Sequence, residues 1–411
     1  MRKWIVEFCI FSLYTVFSMS WFLTSILGPD IATAYELNTQ ESTLLTNIIY
    51  FAKIFGAAFA GFLIYRFGLK RGFIIGCTLI SFAVLQGPAE AIFEDLRARY
   101  YVLLTLRFFV GLGSATALVC IVPLAQKHFS QMGERVLGSI ITLNITSNII
   151  GTLIAAVFAV QLVALFNGRF EEVLVFFGWL NAAIVVLYAV SDSPDSVQEG
   201  PKGSKKALYL SFIKNPVVWG MLLYYIGPIT FLNFITLHIY FYFDGELAKL
   251  LSKEDIGFLS TYSIFAFSIP VVLMPYLAVY FKRYLGHQIA LSIIAIGLSA
   301  ICLAFLAFKD VFGIMALCAL AGVVYGGIVP YLLVLPTELK EASEEKSAVI
   351  NSLFWTGTFV FSFVNSQFLS WIFDEYKSFA YALYFVVFLL LALSLSATWL
   401  FLKKELFRAR V

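Results

Sequence analysis

Residues 44–93, LLTNIIYFAKIFGAAFAGFLIYRFGLKRGFIIGCTLISFAVLQGPAEAIF, decide the architecture. Two apolar runs, 44–67 and 72–93, flank a short basic turn that carries Arg66, Gly68, Lys70 and Arg71. Each run is at least as long as the ~20 residues that cross the hydrocarbon core of a bilayer. In lipid an open chain satisfies its own backbone hydrogen bonds only as a helix. The stretch therefore predicts two membrane helices joined by a tight basic turn.

The pattern continues in both directions. Apolar segments run near 4–32, 44–67, 72–93, 101–126, 136–163, 173–190, 217–243, 257–281, 289–308, 312–334, 348–373 and 379–402. Composition agrees: 61% of the 411 residues are hydrophobic and 13% charged, against about 25% charged in an ordinary soluble protein. The predicted fold is an all-α membrane protein with twelve transmembrane helices in two pseudo-symmetric six-helix bundles. A net charge of +3 is too small to imply an anionic macromolecule, and no nucleic-acid partner is expected. Cys9, Cys77, Cys120, Cys302 and Cys318 all lie in apolar runs without paired spacing and read as packing residues. The apolar stretch after Met1-Arg2-Lys3 is too long for a signal-peptide core and is expected to remain as the first span. The triplet Asn144-Ile145-Thr146 lies inside an apolar run, out of reach of glycosylation.

With the N-terminus inside, 19 of the lysines and arginines fall on inner segments and 7 on outer loops, while Lys53 and Arg107 lie within the membrane. That excess predicts both termini in the cytoplasm and a plasma (inner) membrane protein. The polar run SDSPDSVQEGPKGSKK, Ser191 to Lys206, divides the chain into a bundle at 1–191, a linker at 192–210 and a second bundle at 211–411. The halves look repeated. Gly61-Phe62-Leu63 through Lys70-Arg71 is echoed by Pro275-Tyr276-Leu277 through Lys282-Arg283, and Glu134-Arg135 by Glu345-Lys346. Parallel six-helix repeats imply a binding site near the midplane.

Three motifs carry a family resemblance. GFLIYRFGLKR follows the pattern G-x-L-x-D-R-x-G-R-K/R with Gly61, Leu63, Arg66, Gly68, Lys70 and Arg71 in register, and Tyr65 at the acidic position. LRFFVGLGSA supplies R-x-x-x-G-x-G with Arg107, Gly111 and Gly113. LGPDIATAYELNTQE joins the first two segments. Together, over the whole chain, they resemble the major facilitator superfamily, which implies alternating-access transport of a small solute. The helix 5 glycine–proline pattern of drug antiporters is absent at Asn148-Ile149-Ile150-Gly151-Thr152-Leu153, and so is the nitrate-porter signature. The resemblance names no substrate.

The candidate solute contacts follow from polar groups where they are costly. Lys53 lies about 16 Å along its helix from the outer side at 1.5 Å per residue, where a lysine costs about 2.5–3.5 kcal/mol. It either contacts solute or meets a partner on a neighbouring helix. Arg107, matching the family's helix 4 arginine, serves coupling or solute positioning, or else binds backbone carbonyls. Tyr14, Ser18, Trp21 and Ser25 form one helical stripe, and Asn351, Trp355, Thr358, Ser362 and Asn365 another. Tyr50 lies on the Lys53 face, and Asn144 and Asn148 share a face of the fifth segment. Such groups reach a cavity or bond helices together. Gly227-Pro228 and Tyr325-Gly326-Gly327 with Pro330 are expected to break or bend their helices near midplane, which makes Tyr225 and Tyr325 aromatic candidates. Asp30, Arg107 and His238 are the candidates for ion coupling. The gate candidates are Gly61, Tyr65, Arg66, Gly68, Lys70, Arg71 and Arg135 with the acidic Glu338, Glu344 and Glu345. There, displaced acids in the second half would pair with the basic loop, or form a solvated run ahead of helix 11.

No metal, cofactor or catalytic motif is found. Gly111-Leu112-Gly113-Ser114 stops short of a dinucleotide fingerprint, and His128, His238 and His287 lack acidic or cysteine neighbours at ligand spacing. The expected function is secondary transport of a small organic solute, one bearing a carboxylate such as an amino acid or organic acid, with proton coupling as the default. The expected partners are that solute and the lipid bilayer, and the expected assembly is a monomer. Export of amphipathic or lipid-like compounds is the alternative within transport, and a non-transporting membrane sensor the alternative outside it.

Overall fold

The computed structural model describes residues 2–27, 31, 33–37, 39–192, 214–239, 243, 253–281, 285–308, 310–339, 344–376 and 378–402. Asp30 lies outside them, and so do the side chains of Ser25, Tyr65, Arg135, His238, Glu344 and Glu345.

The described residues are almost entirely helical, with twelve helices long and apolar enough to cross a membrane. In chain order they are α1 (Arg2–Ile26), α2 (Thr39–Phe67), α3 (Leu69–Ile80), α4 (Leu96–Phe129), α5 (Glu134–Leu165), α6 (Phe170–Ser191), α7 (Pro216–Asn233), α8 (Lys253–Phe281), α9 (His287–Ala307), α10 (Val311–Gly326), α11 (Glu344–Tyr376) and α12 (Phe379–Phe388). The α3 rod continues through a tighter turn, Ser81–Leu85, into Gln86–Ile92. α12 continues through a wider π segment, Leu389–Leu395, into Ser396–Phe401. Several helices start where a side chain satisfies their free N–H groups. Asp95 accepts from the Arg97 and Ala98 amides, Asn215 from Val217 ahead of α7, and Asp310 from Gly313 ahead of α10. Large apolar side chains such as Trp179, Val190 and Phe312 stay exposed, as lipid-facing surfaces require.

The chain forms two compact units, Met1–Ala207 with Glu344–Phe359, and Leu208–Ser343 with Val360–Val411. In the first, α4 is the central element. Small residues let its neighbours come close: a Cβ on Gly113 would meet the Gly76 carbonyl and Leu79 of α3, and one on Gly111 would meet Ile49 and Ala52 of α2. The turn between α2 and α3 rests on Gly68, whose φ of 85° lies in the left-handed region where a side chain is strained.

In the second unit the expected break at Gly227-Pro228 does not occur, and α7 runs unbroken from Pro216 to Asn233. Proline removes the donor for the carbonyl four residues earlier, here that of Tyr224. The Ser394 hydroxyl, from the π segment of α12, donates to that carbonyl at 2.6 Å and replaces the missing bond. The departure from α geometry comes later, in a π segment at Phe234–His238. At the second expected break α10 does stop at Gly326, and a π segment at Val329–Leu333 contains Pro330.

Candidate functional site

α1 and α2 build an aromatic cage around Lys53. Phe17 and Trp21 lie one turn apart on α1, Tyr50 and Lys53 one turn apart on α2, and α11 adds Phe359. The Lys53 ammonium is 3.7 Å from the centre of the Trp21 ring, 5.1 Å from Phe17, 5.3 Å from Phe359 and 5.8 Å from Tyr50. Trp21 meets Tyr50 edge-on at 5.1 Å, Phe17 packs on Tyr14, and Trp355 stacks on Phe359. Lys53 is 2% exposed and forms no ion pair with any described residue. Rings stabilise a desolvated cation by about 2 kcal/mol through their quadrupoles but supply no negative charge. An anion arriving here would meet a charged donor and flat apolar walls.

Arg107 makes none of the contacts around the Lys53 ammonium. Its Nε donates to the Leu45 carbonyl at 2.7 Å, and it lines a narrow cleft inside the first unit with Trp21, Ser20 and Gln86. The other candidates separate into those that bond across helices and those that bond within their own. Ser18 Oγ donates to Asn148 Oδ1 at 2.5 Å, joining α1 to α5. The buried carboxamide of Asn144 stands against the buried carboxylate of Glu7, bringing α5 and α1 together. Asn351 donates to the Ser347 carbonyl of its own helix at 2.9 Å. In the second unit the hydroxyls of Tyr225 and Tyr325 are 3.0 Å apart, Asn365 donates to Thr230, and Asn233 donates to the Ser362 hydroxyl.

Among the gate candidates, Gly61 is buried against its neighbours and Arg66 and Arg71 are exposed. Glu338 Oε2 lies 2.8 Å from His287 Nε2, while His287 Nδ1 donates to the Tyr331 carbonyl at 2.9 Å. Lys70 donates to the Asp192 carbonyl at 2.8 Å, and the Arg2 guanidinium reaches the carbonyls of Val190, Ser191 and Asp192. These cations cap the C-terminus of α6, where the helix dipole favours them. The Asp192 carboxylate is buried among Tyr188 Oη at 2.7 Å, His128 Nε2 at 3.1 Å and Lys127 Nζ at 3.4 Å. Burial works against its charge, but the His128 and Tyr188 contacts and the Lys127 ammonium win and hold its pKa at about 2.

Sequence reasoning missed Phe17, Phe359, Gln86 and the two histidine–acid pairs. Phe17 had one available signal, an i,i+4 spacing to Trp21, but the pairs span 51 and 64 residues and leave no local trace.

Two crystal structures of FucP share this fold. The transporter in its outward conformation is 18% identical, with a TM-score of 0.74 over 97% of this chain and 99% of that one. A point-substituted form of the E. coli fucose:proton symporter is 15% identical, with a TM-score of 0.69 over 95% and 98%. In sequence, the uncharacterized protein Cj0987c of Campylobacter jejuni is 39% identical over 284 residues, which cover 68% of this chain and 82% of that protein. The profile of the Major Facilitator Superfamily matches residues 10–364, and with twelve membrane-capable helices on that fold the chain belongs to the Major Facilitator Superfamily of transporters.

Proposed function

We propose that the protein carries a small organic solute bearing a carboxylate, by alternating access and with proton coupling, and that Lys53 is the group receiving the carboxylate. One observation carries this reading: a lysine 2% exposed, set on aromatic rings, with no acid paired to it among the described residues. A carboxylate would supply the missing charge through charge-assisted hydrogen bonds, while Trp21, Tyr50 and Phe359 take its apolar part. The fold shared with a fucose:proton symporter supports coupling to protons. The excess of basic residues on one set of loops supports an inner-membrane orientation with both termini in the cytoplasm. The four-ring cage also favours a second reading, export of amphipathic or lipid-like compounds.

Counterflow in proteoliposomes tests the proposal. A panel of labelled amino acids and organic acids is expected to contain a substrate, and Lys53→Gln should weaken it by about 10- to 100-fold, the loss expected for charge-assisted hydrogen bonds. An uncharged analogue should lose far less. Equal losses for both ligands would assign Lys53 to structure, and absence of counterflow for every member would refute the carboxylate class.

A further inference from the structure

We propose that the first unit contains a second ligand site, a cleft for one small monovalent anion formed by Arg107, Gln86 and Ser20, separate from the Lys53 cage and sharing only Trp21 with it. The proposal does not depend on the solute assigned to Lys53.

The cleft lies among α1, α2, α4, α6 and the continuation of α3, and its apolar walls are Ile49, Ala83, Leu103, Leu106, Val110 and Leu174. Its polar groups are left over from folding. Arg107 is 5% exposed, and after Nε has bonded the Leu45 carbonyl its Nη2 has no partner. No carboxylate pairs with it among the described residues. Gln86 is 1% exposed, and both Oε1 and Nε2 lack a hydrogen bond. It stands where α3 resumes after the tighter turn Ser81–Leu85, so the turn fixes the direction from which the carboxamide enters the cleft. Ser20, one residue before Trp21, adds a hydroxyl.

Buried polar atoms without partners are rare, and each needs an explanation. A guanidinium keeps its charge, so this cluster needs negative charge as well as acceptors. A guanidinium, a carboxamide and a hydroxyl line one narrow space, and their N–H and O–H groups can donate there to a chloride ion or to the carboxylate of a short acid. A divalent oxyanion would bring more charge than the single cation balances. Trp21 links the two sites physically: its ring carries the Lys53 ammonium at 3.7 Å, and it also lines the Arg107 cleft.

The test uses the full chain, purified in detergent in sodium gluconate, whose anion is too large for the cleft. Sodium chloride, sodium formate and sodium sulfate are titrated at constant ionic strength while the unfolding temperature and tryptophan emission are recorded. Chloride or formate is expected to raise the unfolding temperature saturably by a few degrees, and sulfate is not. Whichever of the two saturates at lower concentration identifies the halide or the carboxylate as the natural source. Gln86→Glu builds a carboxylate beside Arg107 and should abolish the response, with stability in gluconate no lower than that of saturated wild type. Gln86→Leu, which removes two unpaired polar atoms and should fold, is expected to raise the half-saturating concentration about tenfold. Lys53→Gln should leave the response in place. A response absent in wild type, matched by sulfate, unchanged by Gln86→Glu, or abolished by Lys53→Gln would overturn the proposal.

Discussion

Replacing Lys53 by Met keeps an unbranched side chain of similar reach and removes its charge. A lysine at the centre of a membrane helix costs about 2.5–3.5 kcal/mol. The Trp21 face at 3.7 Å, with three further rings within 5.8 Å, returns about 2 kcal/mol as a desolvated cation–π contact. The uncompensated remainder, roughly 0.5–1.5 kcal/mol, disappears in the variant. A thioether against the same rings adds about 0.3–1.5 kcal/mol of its own. Lys53→Met should therefore be more stable than wild type by about 1–3 kcal/mol while losing its affinity for the carboxylate solute. Reversible unfolding in mixed micelles, followed by tryptophan emission, reads the first quantity, and binding to the intact protein the second. A variant less stable than wild type by a kcal/mol or more would refute the reasoning, because it would show that the ammonium is bonded to something that its removal leaves unpaired.

Two further predictions concern stability. Ser394→Ala takes away the hydroxyl on the Tyr224 carbonyl and should destabilise by about 1–2 kcal/mol; in a Pro228→Ala background, where the helix supplies its own donor, the same change should cost little, and equal costs in both backgrounds would disprove the assigned role. The Asp192 carboxyl has a pKa of about 2 when folded, below its ordinary 3.8, so its contribution to stability is present above about pH 5 and is lost as the pH falls through 4 toward 2. Asp192→Asn should flatten the acid limb of the stability curve in that window, and an unaltered limb would mean that other carboxylates produce it.

Much of the fold is legible in the chain because membrane helices are specified by length and apolarity, and the runs at 44–67 and 72–93 correspond to α2 and to α3 with its continuation. Departures occur where one helix corrects another. Gly227-Pro228 reads locally as a break, and only the fold brings Ser394, 166 positions later, to the freed carbonyl. Lys53 and Trp21 could be picked out singly because a midmembrane charge and a polar–aromatic stripe are visible without neighbours. Phe17 and Phe359 could not, since a phenylalanine in a chain with 43 of them carries no mark of its surroundings. Asp192 reads as the first residue of a polar linker, yet it is 1% exposed, because its partners Lys127 and His128 arrive from a helix more than sixty positions upstream.

The end of α6 has a mechanical consequence. Arg2 from α1, Lys70 from α3 and the Lys127–His128 pair of α4 all converge on the last carbonyls and the carboxylate of this one helix terminus. It works as a rivet through four rods. A pull or twist delivered along the chain beyond Asp192 is divided among α1, α3, α4 and α6 before it can bend any of them, so this end of the first unit turns as a single piece. Loosening the rivet would let α6 yield first, and motion entering there would be spent in one helix instead of turning the whole bundle.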